Sequence, residues 1–200
     1  MEGVHDVVID EVAQKPTKNG DVYFHITYMN GTKKTSQLVF PPREGQKYDP
    51  SQRGNRITQQ LFAHVFGLDM DPDGEEFADN LATGYALLES ANLKGLHAKV
   101  QLGYNGIHAK YVRGEKTSYI LATRSGEPMR GYEDKKFDSR GAVEAELKSL
   151  NLQRPPDKQF RFHSFVEIQE YLEPKESNTA KLAKYLKPDQ EIEVDDAESF

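Results

Sequence analysis

The chain has 200 residues with no cysteine and no tryptophan, and 32 acidic residues against 26 basic ones give a formal net charge of −6. Without cysteine there is neither a disulfide scaffold nor a thiolate metal site, and no apolar run reaches the roughly 20 residues of a membrane helix. An apolar content of 36% predicts one compact core, so we expect one moderate domain with an appendage, or two small domains.

The first 40 residues predict three β-strands. Residues 5–13 alternate weakly between apolar and polar side chains, and the turn formers of residues 15–20 end that pattern. Residues 21–29 and 32–40 flank Asn30-Gly31, a dipeptide typical of the two-residue turn of a β-hairpin. In the predicted register one face is apolar, and the opposite face carries Tyr23, His25, Thr27, Lys34 and Ser36.

Two helices are predicted after Pro41-Pro42, which ends the strand pattern. The first is capped by Asn55 and ends at Gly67, a residue suited to the left-handed position that follows a helix. The second has apolar residues at helical spacing from Phe77 to Leu88 and ends near residue 92.

A second Asn-Gly pair, Asn105-Gly106, predicts another hairpin within residues 93–111. With Leu102 opposite Ala109, one face is apolar and the other carries His97, Lys99, Gln101, His108 and Lys110. The segment from Leu93 to Arg130 contains seven Lys and Arg but only two Glu. This local positive charge in an acidic chain predicts an anionic partner.

The predicted order of elements is three strands, a helical segment and two strands, which is the order of an OB-fold. The expected fold class is therefore mainly β with helices (α+β): a five-stranded Greek-key barrel with a helical insertion between strands three and four. Further helices are predicted over residues 142–150 and 179–186. Ser164 followed by Glu167 matches a capping box and predicts a short helix ending near Leu172.

This pattern divides the chain into three parts. Residues 1–123 form the OB-fold-like nucleic-acid-binding domain, residues 124–187 a partly helical extension, and residues 188–200 a flexible acidic tail. The tail segment from Asp189 to Phe200 has six acidic residues and no basic one. We expect no catalytic residue, no metal site and no cofactor, because no nucleotide-binding or nucleophile motif is present.

The lysines of the half-exposed faces are either ordinary solvated surface or a binding groove. Aromatic rings that stack on bases, beside lysines that contact phosphates, are typical of a groove for single-stranded nucleic acid. The predicted nucleic-acid-binding residues are Lys15, Lys18, Tyr23, His25, Lys34, His97, Lys99, Lys110, Arg113, Tyr119 and Arg124.

The OB-like strand order and the acidic end in Phe200 resemble the single-stranded DNA-binding proteins of bacteria and their phages. The resemblance implies a protein that binds single-stranded DNA in replication and recombination. It also implies that the tail recruits partner proteins, through Asp195, Asp196, Glu198 and Phe200. The chain lacks the family's usual Gly, Pro and Gln-rich linker and adds residues 124–187, which favours a phage-type protein. The oligomeric state stays open.

Two other functions remain open at this stage: an RNA-binding OB-fold protein, and a nucleic-acid-processing enzyme such as a nuclease. A contact to the 2′-hydroxyl would distinguish RNA from DNA, and the sequence does not reveal one. A purely structural β-domain is a further alternative. We expect no membrane partner and a place in the cytoplasm, that of the host cell if a phage encodes the protein.

Overall fold

A computed structural model of the chain describes residues 2–43, 45–114, 118–174 and 176–186. Its strands are β1 (Gly3–Pro16), β2 (Val22–Asn30), β3 (Lys33–Val39), β4 (His97–Gly103), β5 (His108–Val112), β6 (Ser118–Ala122) and β7 (Glu167–Glu173). Its helices are α1 (Arg53–Leu61, continued by one π-helical turn over Phe62–Phe66), α2 (Phe77–Ser90), α3 (Arg140–Leu152) and α4 (Thr179–Leu186). The expected mixed α+β class is confirmed.

Five strands form one antiparallel sheet in the order β3-β2-β1-β4-β7, and β5 pairs with β6 in a separate two-stranded sheet. The long strand β1 is central because it pairs with β2 through residues 8–16 and with β4 through residues 3–8. A bulge at Asp10, between Ile9 and Glu11, lies on the side that pairs with β2. A bulge bends a strand locally and increases its twist.

The hairpin predicted at Asn30-Gly31 is confirmed. Asn30 pairs with Lys33, so the two turn residues are Gly31 and Thr32, and Gly31 has the positive φ of 57° that this turn requires. The pairing is shifted by two residues from the predicted register. Because side chains alternate with a period of two, this shift keeps every side chain on its predicted face.

The prediction of a hairpin at Asn105-Gly106 is wrong, because β4 and β5 do not pair with each other. β4 pairs instead with β7, placing Val100 opposite Tyr171, while β5 leaves for the small sheet. The side-chain amide of Asn105 donates to Glu167, and a Cβ at Gly106 would lie 2.7 Å from the His163 ring. These contacts with residues 163–167 hold the segment in an open connection between the two sheets.

The helix predicted after Ser164 is also wrong, because residues 167–173 form strand β7. The other helix predictions are confirmed. α1 begins two residues before Asn55, and Gly67 ends the following π-helical turn in the left-handed conformation with φ 75°. The helical insertion therefore lies between β3 and β4, as expected.

The main core joins one face of the five-stranded sheet to α1, α2 and α4. The sheet curls so that its two edge strands meet through buried side chains. The Tyr28 and Tyr171 hydroxyls are 2.5 Å apart, and Tyr171, which donates its one hydroxyl proton to Gln37 of β3, accepts from Tyr28. Within the described residues, β3 and β7 share no backbone ladder, so the sheet is not a closed barrel.

A second, smaller core lies between the β5–β6 sheet and α3, around Leu121, Val143 and Leu147. It includes Ala109 and Phe137, so the position at residue 123 where the sequence predicts a boundary falls inside it. The chain then returns to the first sheet through β7, which comes from the predicted extension. The predicted tail, residues 188–200, lies outside the described residues.

Candidate nucleic-acid interface

The face of β1, β2 and β3 that points away from the main core carries aromatic, apolar and basic side chains. We call this surface the open face, and its members are Lys15, Tyr23, His25, Lys34, Leu38 and Phe40. They lie together because β2 pairs with both neighbours: Tyr23 is opposite Lys15 on β1, and His25 is opposite Leu38 on β3. Because side chains alternate between the two faces of a strand, these residues lie on the other face of the sheet from the buried Phe24, Ile26 and Val39.

An aromatic pair lies at one end of the open face. The rings of Tyr23 and Phe40 are stacked, with centroids 5.3 Å apart and planes 24° from parallel. Phe40 is 52% exposed and the neighbouring Leu38 is 50% exposed. Large exposed apolar side chains that touch one another are typical of a binding surface rather than of ordinary solvated surface.

Lys15 and His25 form the polar part of the open face beside this pair. The Lys15 ammonium donates to Nδ1 of His25 across 3.3 Å. An ammonium is only a donor, so Nδ1 is the unprotonated nitrogen of the ring in this arrangement. The half-buried imidazole is thereby held in one orientation. Lys18 lies nearby in sequence, exposed in the turn between β1 and β2.

The charge of Lys34 is matched by an acidic residue of the bulge. Its Nζ lies 3.6 Å from one carboxylate oxygen of Asp10, and Lys94 Nζ lies 3.3 Å from the other. Both lysines keep most of their side-chain surface exposed. Exposed pairs of this kind contribute little to stability, about 0.2–1 kcal/mol, so the main effect of Asp10 is to offset the local positive charge of the two lysines.

A cavity of about 440 Å³ lies next to the open face, in the gap between β3 and β7. His25, Ser36 and Leu38 line one side, and Arg53 and Phe165 belong to the other. His25 and Leu38 thus belong both to the cavity and to the open face. Phe165 is 79% exposed, so its ring projects into solvent at this cavity.

Arg53, the first residue of α1, is the cation of the cavity. Its Nη2 donates to the Ile168 carbonyl at 2.9 Å, and its Nη1 lies 3.6 Å from the Glu167 carboxylate. Burial lowers the pKa of Arg53, Glu167 raises it, and Arg124 and Arg56 lower it further. A guanidinium stays charged in proteins, so Arg56 and Arg124 both lie within electrostatic reach of the charged Arg53.

The two predicted residues of β4 lie on the same side of the sheet as the open face, but nearer β7. Lys99 Nζ is 2.5 Å from the Glu173 carboxylate, and this hydrogen bond raises the pKa of Lys99. His97 has an exposed side chain, and its backbone N–H and carbonyl bond to Asn178. The positive charge of Lys99 is therefore already matched by a carboxylate.

The remaining predicted residues lie on or beside the small sheet. Lys110 donates to the Gly126 carbonyl at 2.8 Å, and Tyr119 makes an edge contact with Tyr111. Arg113 is exposed just after β5. Arg124 donates to Gln169 at 3.2 Å, and it is the member of this group that comes near Arg53. The structure therefore places Lys15, Tyr23, His25 and Lys34 on one face, with Lys34 at the opposite end of β2 from Tyr23, and separates them from Lys110, Arg113 and Tyr119.

Sequence reasoning missed four residues of this region: Leu38, Phe40, Arg53 and Phe165. Leu38 and Phe40 continue the period of two from Lys34 and Ser36, so their parity could have placed them on the same face as Tyr23. Arg53 and Phe165 gave no such signal, because their position depends on β7 returning to β4. The predicted partner-binding residues Asp195, Asp196, Glu198 and Phe200 lie outside the described residues.

No protein-family model matches this chain, and no curated protein matches it. None of the helices in the described ranges has the length and apolar character needed to cross a bilayer. Residues 2–43, 45–114, 118–174 and 176–186 contain no group of three His, Asp or Glu side chains placed to hold a metal ion.

Proposed function

We propose that this protein binds single-stranded DNA with little sequence specificity, through an OB-fold-like sheet, in replication or recombination. The strand order β3-β2-β1-β4-β7 supports the fold assignment, because an OB-fold has its first strand between the second and the fourth and its fifth beside the fourth. In that assignment β7 is the fifth strand, and β5, β6 and α3 are an insertion before it.

The observation that carries the proposal is the stack of the half-buried Tyr23 on β2 with the exposed Phe40 directly after β3, because OB-folds bind oligonucleotides with their second and third strands. Every base has a π-face, so aromatic rings at a binding surface can stack on a strand whatever its sequence. Lys15 lies opposite Tyr23, Lys18 is exposed in the adjoining turn, and neither forms an ion pair with a carboxylate of the described residues. Lysines placed beside stacked bases are suited to contact the phosphates between them.

The acidic tail supports a second part of the proposal, recruitment of replication or recombination proteins. The segment from Asp189 to Phe200 offers an aromatic ring beside six acidic side chains. Binding of an acidic motif by a cluster of basic residues is a common mode of peptide recognition, and an aromatic ring in the motif can enter an apolar pocket beside the cluster. The same six acidic residues can compete with phosphates for the lysines of the open face.

The test compares oligo-dT binding by the wild-type protein and by a Tyr23→Ala, Phe40→Ala double variant, measured as fluorescence anisotropy of the labelled oligonucleotide. Loss of one stacked base weakens binding by about 1–3 kcal/mol, or roughly 5- to 150-fold. Tyr111→Ala is the matched control, because Tyr111 is also 52% exposed but lies on β5. Equal affinities of the wild-type protein and a folded double variant would remove the open face from the site.

A further inference from the structure

The cavity between β3 and β7 has two features that the packing of the fold does not explain. Phe165 exposes 79% of its surface although the main core and the second core both lie close to it in the chain. Arg53 Nε is buried and has no hydrogen-bond partner in the described residues. An exposed apolar ring has a cost that a ligand stacked on it would remove, and it stands at one cavity with a guanidinium whose hydrogen-bonding capacity is not fully used.

The size and walls of this cavity suit a small flat ring system. Its volume of about 440 Å³ falls in the range of about 300–1,000 Å³ that is typical of small-molecule sites. The rings of Phe165 and His25 and the apolar side chain of Leu38 supply stacking and van der Waals surface. Arg53 supplies hydrogen-bond donors and no acceptor.

The position of the cavity connects it to the open face. His25 and Leu38 are opposite one another on β2 and β3 and line both surfaces. A strand that stacks on Tyr23 and Phe40 and continues along β2 towards His25 therefore reaches the cavity mouth. The positive charges of Arg53, Arg56 and Arg124 attract the phosphates on either side of such a nucleotide.

We propose that the cavity takes one unstacked nucleobase of the bound strand, with the Phe165 ring stacked on it and the Arg53 guanidinium donating to a carbonyl oxygen of its edge. This subsite rests on the proposed binding of single-stranded DNA and adds to it a preference for certain bases at one position of the strand. Thymine, cytosine and guanine carry carbonyl oxygens, whereas adenine carries none. The subsite therefore favours thymine, cytosine and guanine over adenine.

Two variants of Phe165 separate stacking from general apolar burial. Phe165→Ala should weaken oligo-dT binding by about 5- to 150-fold, the effect of one lost stacked base, while Phe165→Tyr keeps the ring and should bind as the wild-type protein does. Leu152→Ala is the control, because Leu152 is 87% exposed on α3 and its loss also removes exposed apolar surface. Phe165 is so exposed that its variants are expected to fold.

Two further measurements address the base itself. Irradiation of the wild-type complex with oligo-dT that carries one 5-iodouracil should join the oligonucleotide to the peptide that contains Phe165, as identified by mass spectrometry. Arg53→Lys keeps the charge but loses the planar donor pair. Arg53→Lys should therefore lower the ratio of oligo-dT affinity to oligo-dA affinity relative to the wild-type protein. Base stacking within free oligo-dA affects both proteins equally, so it cancels when the two ratios are compared.

The outcomes distinguish this inference from the function on which it rests. If the wild-type protein does not bind oligo-dT, both proposals fail. If the wild-type protein binds and the Tyr23→Ala, Phe40→Ala variant is weakened, but Phe165→Ala binds normally and no adduct forms at its peptide, the base subsite alone is overturned. A weakened Phe165→Ala, a retained Phe165→Tyr and an adduct at Phe165 together support it.

Discussion

Replacing Asp10 by Asn should make single-strand binding tighter and more sensitive to salt. Asp10 holds Lys34 and Lys94 at 3.6 and 3.3 Å, so these lysines neutralise little phosphate charge while the carboxylate is present. The amide of Asn keeps the size of the side chain and removes its charge. Loss of two exposed pairs costs about 0.2–1 kcal/mol each in stability, which leaves the protein folded.

The expected size of this effect follows from counterion release. Each phosphate neutralised on a single strand changes the slope of log affinity against log salt by about −0.7, so two freed lysines change it by about −1.4. Between 50 and 200 mM salt, two added contacts correspond to about a sevenfold larger fall in affinity than the wild-type protein shows.

The assay is anisotropy of labelled oligo-dT at 50, 100 and 200 mM salt for the wild-type and Asp10→Asn proteins. Asp157→Asn is the matched control, since it changes the net charge equally at an exposed position in the short 3₁₀ turn Pro156–Lys158. An Asp10→Asn slope equal to that of the control would refute the reasoning that Asp10 keeps Lys34 and Lys94 from contacting phosphates.

Four further predictions concern the open face, the main core and the acidic tail. Phe40→Trp introduces the chain's one tryptophan, and its fluorescence should be quenched by oligo-dT because the indole stacks on a base; unchanged emission at saturation would contradict this. Gly84→Ala should lower the melting temperature by several degrees, because its Cβ would lie 2.3 Å from the buried Phe62 ring, a clash larger than the helix-propensity gain of about 1 kcal/mol. Burial raises the pKa of Tyr171, so the folded state favours its neutral form and stability should fall as pH rises above about 10; a Tyr171→Phe protein should lose less stability over that range. Deletion of residues 189–200 should raise affinity for oligo-dT at low salt, where charges are least screened, and an unchanged affinity would remove the tail as a competitor.

Local sequence signals predicted the elements that short-range chemistry determines. The period of two in β2 and β3 gave the correct faces for Tyr23, His25 and Lys34, even though the cross-strand pairing is shifted by two residues from the predicted register. Gly67 ended the first helical segment because a left-handed conformation needs a glycine there. These features depend on residues only a few positions apart, so the local sequence pattern is sufficient to predict them.

Long-range pairing determined what the sequence did not predict. Asn105-Gly106 has the composition of a hairpin turn, but β4 instead pairs with β7, more than 60 residues later in the chain. Ser164 and Glu167 match a capping box, yet residues 167–173 gain backbone hydrogen bonds as an edge strand of the main sheet. The cavity depends on this pairing, which is why Arg53 and Phe165 could not be placed beside His25 from the sequence.

The most direct test of the central claim is one titration of the wild-type protein with labelled oligo-dT, oligo-U and duplex DNA at several salt concentrations. We expect tightest binding to oligo-dT, weaker binding to the duplex, whose bases are not free to stack on protein rings, and a slope of about −0.7 per phosphate contact for oligo-dT. Stronger binding to oligo-U would identify RNA as the ligand. Equal affinity for duplex and oligo-dT, or no binding to oligo-dT at 50 mM salt, would contradict the proposed function.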